Sequence, residues 1–378
     1  VGRAVKESLE QLLDSLTVEG ELYERLPDNA VRCYACGHHC LIREGRRGIC
    51  KVRFNQGGEL RVPHGYVGAL QCDPTEKKPF FHIYPGSDTL TFGMLGCDFH
   101  CPYCQNWVTS QALRDPLSEM SGARPRQVTP GELVQAGLRM GAKLVGSSYN
   151  EPLITSEWAV AVFKEAQKHG LGCVYISNGN VTREALAYIR PHLIGYKIDL
   201  KSMSDKNYRQ LGGVLQNTLD GIRLVHEMGL WLEVVTLVIP GFNDSTQELM
   251  DAARYLASIS PDIPWHVTAF HKDYQMTDPD NTTAEHLIRA AEIGLEAGLR
   301  YVYAGNLPGE VGEYENTYCP HCRRVLIERF GYVILGYHLT DDGRCPACAT
   351  AIAGVWPRRD EVRLGRPEDL FFRAPRSV

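Results

Sequence analysis

Between about residue 88 and residue 308 the chain alternates short, apolar, β-branched-rich runs with longer stretches whose apolar residues recur at helical spacing. The short runs cover Thr89 to Leu95, Lys143 to Tyr149, Gly172 to Ser177, Leu193 to Asp199, Trp231 to Ile239, Trp265 to Phe270 and Arg300 to Ala304, and each has the length of a strand. Between them lie LVQAGLRM, EWAVAVFKEAQKHG and QELMDAARYLASI, amphipathic patterns of helical period. Thr129-Pro130 followed by Glu132 marks a helix start before the first of these. Strands alternating with helices predict consecutive βα units around a parallel sheet. Repeated in this number, they predict an α/β fold built on a partial or full TIM-type (β/α) barrel, with an open, doubly wound sheet as the alternative.

The alternation does not extend to the flanks, and each flank has its own cysteine group. Three regions are therefore expected: a cysteine-rich metal-binding region at 1–87, the barrel at 88–308 and a zinc-ribbon-like module at 309–378. Segments that follow barrel strands collect on one face, where active sites form. Here they carry the cysteine loop after the first strand, Asn150-Glu151-Pro152, Asn178-Gly179-Asn180, Lys201-Ser202, Pro240-Gly241, His271-Lys272 and Gly305-Asn306. The glycines and prolines among them read as turn formers, and the ionisable residues as candidate chemistry.

Composition narrows the class. With 378 residues, 44% of them hydrophobic, the chain can bury a large core. A net charge of -5 supplies no global basic field, so no nucleic-acid partner is expected. No apolar run reaches the roughly 20 residues of a membrane span. The first residues, VGRAVKESLEQLLDSL, read as a charged amphipathic helix rather than a signal peptide, so a cytoplasmic location without membrane contact is expected. Most of the 13 cysteines fall at short metal-type spacings, which favours metals over disulfides. Cys72 and Cys173 stand outside these groups, and Cys173 reads as a small buried hydrophobe.

Directly after the first strand, GCDFHCPYCQNW puts Cys97, Cys101 and Cys104 in one short loop. A [4Fe-4S] cluster normally takes four cysteines, so three leave one iron open to another ligand. A zinc knuckle completed by His100 is the alternative reading. In the tail, Cys319-Pro-His-Cys322 and Cys345-Pro-Ala-Cys348 form two CxxC pairs around a strand-like RFGYVILGYHL, the pattern of a closed structural zinc site. The N-terminal run RCYACGHHCLIREGRRGIC supplies Cys33, Cys36, Cys40 and Cys50, with His38 and His39 between them. A structural metal, zinc by preference, is expected there, and a second iron-sulfur cluster is the alternative. The adjacent Arg43, Arg46, Arg47, Lys51 and Arg53 read as a solvated charged loop.

The C-x3-C-x-aromatic-C loop after the first barrel strand, with Tyr103 as the aromatic, resembles the signature of the radical SAM superfamily. The resemblance implies that Cys97, Cys101 and Cys104 hold a [4Fe-4S] cluster whose open iron is chelated by S-adenosylmethionine (SAM). One electron then cleaves SAM to a 5'-deoxyadenosyl radical that abstracts hydrogen from a substrate. It further implies roles for residues after the next strands. Asn150 and Glu151, in GSSYNEP, stand where members carry a Gly-Gly-Glu-type segment for the methionyl ammonium, here without the two glycines. Ser177, Asn178, Asp199 and Lys201 look like the ribose and carboxylate contacts of pyruvate formate-lyase activating enzymes, and His271 resembles a position near the cofactor. The runs RCYACGHHCLIREGRRGICKVR, DPTEKKPFFHIYPGS, SYNEP, YCPHC and CPAC together resemble the AmmeMemoRadiSam group, encoded beside Memo-like and AMMECR-type proteins. A flavodoxin or ferredoxin electron donor is expected on chemical grounds.

These readings predict a hydrogen-abstracting enzyme acting on a small metabolite, an amino acid or a partner polypeptide. A glycyl-radical-enzyme activase is one form of it. From another class, a non-catalytic, zinc-rich RNA-binding protein predicts zinc at Cys97, Cys101 and Cys104 and no SAM cleavage.

Overall fold

The structure, a computed structural model, describes residues 8–372 and 376–377. Its main sheet has nine strands in linear order. Eight of them are named here: Ala69–Pro74 (β1), Asp88–Gly93 (β2), Leu144–Ser147 (β3), Gly172–Ser177 (β4), Gly195–Asp199 (β5), Trp231–Val238 (β6), Trp265–Ala269 (β7) and Val302–Gly305 (β8). From β2 to β8 each strand pairs with the next in parallel. β1 lies antiparallel against β2, and the short strand Arg376–Ser377 pairs with β1. The order is linear rather than circular, so the α/β fold takes the partial form of the (β/α) barrel. All seven expected strands are present. β1 comes from the region ahead of residue 88 and still joins the sheet.

Each parallel step crosses over through a helix: Pro130–Arg139 (α1), Ser156–Lys168 (α2), Arg183–Ile189 (α3), Leu215–Glu227 (α4), Thr246–Ile259 (α5) and Ala284–Glu296 (α6). α1 starts where Thr129 and Glu132 predict it, with Thr129 Oγ1 accepting from Glu132 N–H at 3.2 Å and the Glu132 carboxylate accepting from Thr129 N–H at 2.8 Å. Nearer the N-terminus, Leu9–Ser15 is a helix whose Leu9 and Leu13 are buried; residues 1–7 of the predicted amphipathic helix lie outside the described residues.

Alternation along the strands divides the side chains between two faces. Val145, Tyr175, Tyr196, Ile198, Val234 and Val267 pack on the helix side with Trp158 and Phe163 of α2. The concave face splits in two. Its lower half, at the N-terminal ends of the strands, is stopped by the segment after β1, where Phe80 and Ile83 pack on Leu144 and Val174. Glu233 of β6, fully buried, holds this plug by accepting from Phe81 N–H (3.0 Å), His82 N–H (2.9 Å) and Trp231 Nε1–H (3.0 Å), and it pairs with His266 Nε2 at 2.7 Å. The upper half stays open and is the cavity described below.

The plug also anchors the C-terminal module. Ile83 bridges to Val355, the Arg329 guanidinium donates to Phe81 O at 2.9 Å, and His82 Nδ1 lies 2.7 Å from Ala353 O. The predicted strand-like RFGYVILGYHL is a hairpin, Val325–Phe330 against Val333–Tyr337. Gly331, at φ +57°, turns the chain where an extended run was read.

The plug leaves little room. A Cβ at Gly195 would lie 2.1 Å from Ile83 Cδ1. Gly195→Ala is therefore expected to lower stability by about 1–3 kcal/mol in urea unfolding, as overpacking does. Ile83→Val removes the clashing methyl and should recover part of that loss in the double variant.

Candidate active site

The cysteine loop leaves β2 at the C-terminal edge of the sheet, and three sets of contacts give it shape. His100 N–H donates to Leu211 O at 2.9 Å, and Phe99, 1% exposed, packs among Tyr208, Leu211, Ile239 and Phe270. Gly212 and Gly213 make that approach possible, because a Cβ at either would lie within 2.5 Å of His100 or Phe99 ring atoms. Arg114 donates to three carbonyls, Phe99 O (2.7 Å), Cys97 O (3.1 Å) and Ile49 O (2.9 Å), and so ties the loop to the N-terminal region.

Burial pushes all three thiols up, Cys101 to about 12, while the Lys201 ammonium draws Cys101 and Cys104 back down. Their spacing tells what they can hold. A tetrahedral zinc with bonds of about 2.3 Å would bring its sulfurs to about 3.8 Å from one another. Among the described residues, one set of three or more His, Cys, Asp or Glu ligand atoms gathers within 4.8 Å, and it is Cys319, Cys322, Cys345 and Cys348. The sulfurs of Cys97, Cys101 and Cys104 do not gather within 4.8 Å, and His100 is exposed and packs against Gly212. Cys101 is buried and Cys97 and Cys104 are half-buried, and three thiols set apart in this way fit three corners of a cluster, with one corner left to another ligand.

Cys101 and Cys104 line a cavity of about 660 Å³, together with Tyr103, Tyr149, Lys197, Asp199 and Lys201 among others. Burial alone would raise Asp199, but Lys197 and Lys201 flank it and hold it at about 2; Lys201 Nζ donates to it at 3.2 Å. At the opposite wall Lys78 Nζ donates to Asp73 (2.8 Å) and to Tyr149 Oη (2.9 Å), and Lys77 Nζ donates to Asp73 at 3.2 Å. Tyr149 sits at φ +66°, an uncommon backbone for a bulky residue, with its carbonyl accepting from Thr109 Oγ1 at 2.9 Å. A neighbouring cavity of about 490 Å³ shares Lys77, Gln105, Asn306 and Tyr332 with the first and adds His271, whose Nε2 lies 2.9 Å from Gln105 Nε2.

The sequence-predicted residues divide accordingly. Tyr103, Asp199 and Lys201 line the main cavity with Cys101 and Cys104, and His271 lines its neighbour. Asn150, Glu151, Ser177 and Asn178 form a brace behind the wall. Both Glu151 oxygens are taken, by Ser177 Oγ–H (2.7 Å), Leu153 N–H (3.1 Å) and Asn178 N–H (2.7 Å), while Asn150 Oδ1 accepts from Met94 N–H (3.0 Å). Asn178 Nδ2 donates to Asp98, inside the cysteine loop, at 2.8 Å. Burial, with Asp98 nearby, pushes Glu151 up to about 8. Sequence reasoning missed Lys77, Lys78, Lys197, Tyr149 and Tyr332. For Lys77 and Lys78 the signal was the EKK of DPTEKKPFF, a charged pair entering an apolar run.

In the tail the four sulfurs come together as predicted, Cys319 Sγ 3.5 Å from Cys348 Sγ and Cys322 Sγ 3.6 Å from Cys345 Sγ. This closed set of four thiols fits a tetrahedral ion and leaves no position for a substrate. No described helix is long and apolar enough to cross a membrane.

The Radical SAM superfamily pattern matches residues 92–253. An uncharacterized protein of Methanocaldococcus jannaschii is 36% identical over 337 residues, 88% of this chain and 98% of that protein. The isethionate sulfite-lyase activating enzyme of Desulfovibrio desulfuricans is 27% identical over 128 residues, 33% of this chain and 41% of that enzyme. Among solved structures, a domain of a pyruvate-formate lyase-activating enzyme from Bacteroides vulgatus covers 43% of this chain and 98% of its own, with 21% identity and a TM-score of 0.39.

Proposed function

The chain belongs to the radical SAM superfamily, and from that premise we propose that Cys97, Cys101 and Cys104 hold a [4Fe-4S] cluster beside bound SAM in the large cavity. The observation that carries this reading is the trio itself: one buried and two half-buried thiols that do not gather within 4.8 Å of one another, two of them opening on a cavity that also holds the Asp199–Lys201 pair. When bound, the cluster supplies the electron that cleaves SAM to methionine and a 5'-deoxyadenosyl radical, which takes hydrogen from the substrate. The chain's own residues orient and enclose. Lys201 meets the methionyl carboxylate as a charge-assisted donor, and Asp199 keeps that ammonium in place. Tyr103, 6% exposed and set edge-on to Phe242, closes the loop side against water. The Glu151 brace keeps the ends of β3 and β4 in register with Asp98.

The charges in the cavity also suggest a substrate class. Asp199 is shared by two lysines, Lys197 and Lys201, and Asp73 by two others, Lys77 and Lys78. Each pair is left with one surplus positive charge. One suits the carboxylate of SAM and the other a small anionic substrate at the Lys77–Lys78 end. On the finer reading, membership of the AmmeMemoRadiSam group, the enzyme works in the cytosol with a flavodoxin or ferredoxin donor and with Memo-like and AMMECR-type partners. Zinc in the tail stabilises the module that anchors the plug.

Protein reconstituted anaerobically with iron and sulfide and reduced with dithionite is expected to convert SAM to 5'-deoxyadenosine and methionine. Lys201→Met should raise the KM for SAM about 10- to 100-fold, the loss of one charge-assisted hydrogen bond of about 1.5–3 kcal/mol, with Lys201→Arg intermediate. An unchanged KM removes Lys201 from the SAM site. For the substrate, metabolite fractions from an anion exchanger should accelerate 5'-deoxyadenosine formation. Acceleration by a polypeptide fraction alone would favour the activase reading instead.

A further inference from the structure

The four N-terminal cysteines lie outside the site described above, yet the fold brings them together. Cys33 and Cys40 face each other across the hairpin Val31–Cys33 and Leu41–Ile42, with Cys33 N–H donating to Cys40 O at 3.0 Å. Gly48 packs beside them; a Cβ there would lie 3.7 Å from Cys40 Sγ. Cys33, Cys36 and Cys50 are 6%, 6% and 5% exposed, and Cys36, Cys40 and Cys50 all feel the charge of Cys33. Burial pushes the Cys36, Cys40 and Cys50 thiols up, and the backbone N–H groups of His38, of Ile49, and of Val52 and Arg53 draw them in turn back down. His39 (φ +45°) and Lys51 (φ +70°) bend the chain after Cys36 and Cys50, the turn that aims successive N–H groups at an anion.

What the group can hold follows from comparison within the molecule. The tail sulfurs touch in pairs at 3.5 and 3.6 Å and satisfy the spacing of one tetrahedral ion. The N-terminal sulfurs are neighbours without that closeness, as are those of Cys97, Cys101 and Cys104. A thiolate on each of four different irons needs the wider arrangement. We infer that Cys33, Cys36, Cys40 and Cys50 ligate a second [4Fe-4S] cluster, one thiolate to each iron, with no position left for SAM. It abuts the first site through the cysteine loop. Asp98, fully buried, lies 3.9 Å from His38 Nε2 and 3.7 Å from Cys97 Sγ, and Arg114 joins Cys97 O to Ile49 O.

The test uses the full chain with Cys97→Ala, Cys101→Ala and Cys104→Ala combined, reconstituted anaerobically with ferrous iron and sulfide. About four iron and four sulfide per chain are expected to remain, with a brown absorption that dithionite bleaches and an electron paramagnetic resonance signal from the reduced cluster. A colourless triple variant overturns the inference, whether the N-terminal thiols then hold zinc or no metal. Adding Cys36→Ala should remove the remaining iron, and iron that persists there overturns the ligand assignment. Should the added change unfold the chain, the triple variant still decides. The outcome is separable from the proposed function. About eight iron in the unmutated protein falling to four supports both clusters, four falling to none leaves only the SAM site, and four unchanged leaves only the N-terminal cluster.

Discussion

Cys101→Ala is expected to abolish reductive SAM cleavage while leaving a folded chain. The two halves of that expectation rest on different contacts. Cys101 is one of the three thiols that a cluster at this loop requires, and it lines the cavity directly. Its loss leaves two thiols and no closed corner, so 5'-deoxyadenosine formation should fall to the background of cluster-free protein. The loop itself is shaped by other groups: the His100 N–H bond to Leu211 O, the packing of Phe99 and the three-carbonyl grip of Arg114. Circular dichroism and the urea midpoint should therefore stay close to those of the parent. Cys173→Ala is the control. That thiol is 1% exposed in the helix-side core, so its replacement should cost stability and spare cleavage. Continued cleavage in the Cys101 variant would remove the loop from the chemistry.

Glu157→Ala is expected to cost about 3–5 kcal/mol, the usual effect of stranding one member of a buried ion pair. Arg53 is 1% exposed, and its guanidinium donates to both Glu157 oxygens, at 2.9 and 2.7 Å, and to Ile154 O at 3.1 Å. Without the carboxylate, that charge would stay buried with only a carbonyl as partner. Burial alone would raise the Glu157 carboxyl, and Arg53 overcomes this and holds it below its ordinary value. A depressed carboxylate stabilises the fold above its unfolded-state pKa, about 4.3, and loses that contribution as pH falls through the folded-state value. The gap between parent and variant in urea unfolding should thus be full at neutral pH and narrow in acid. Arg53→Met with Glu157→Leu, which removes both charges, should be markedly more stable than Glu157→Ala alone. Equal stability of the two would place the cost elsewhere.

The parts of this protein legible from sequence are those governed by neighbours along the chain. Strand and helix periodicities are local, which is why the seven barrel strands and the cap at Thr129 match the structure within a few residues. The CxxC pairs and the Cys97, Cys101 and Cys104 loop are local too, since their short spacing is read directly along the chain. Where a turn interrupts a run the reading was partial, as at RFGYVILGYHL, whose strand character is borne out in two paired strands while Gly331 makes the turn between them.

Tertiary structure decided the rest, because it depends on which face a residue meets. Asn150, Glu151, Ser177 and Asn178 occupy the expected strand ends yet turn behind the wall, whereas Lys78 and Tyr149, far apart in sequence, meet in the cavity. PFFHIY reads as one more apolar run, and only the curvature of the sheet makes it the plug that closes the barrel. Sequence by itself determined the order of elements and the residue types available for metal and cofactor. The gathering of the four tail sulfurs from two separate CxxC pairs, and the shared carboxylates that set the charge of the cavity, arose only when the chain closed on itself. Both depend on through-space proximity that no local pattern encodes.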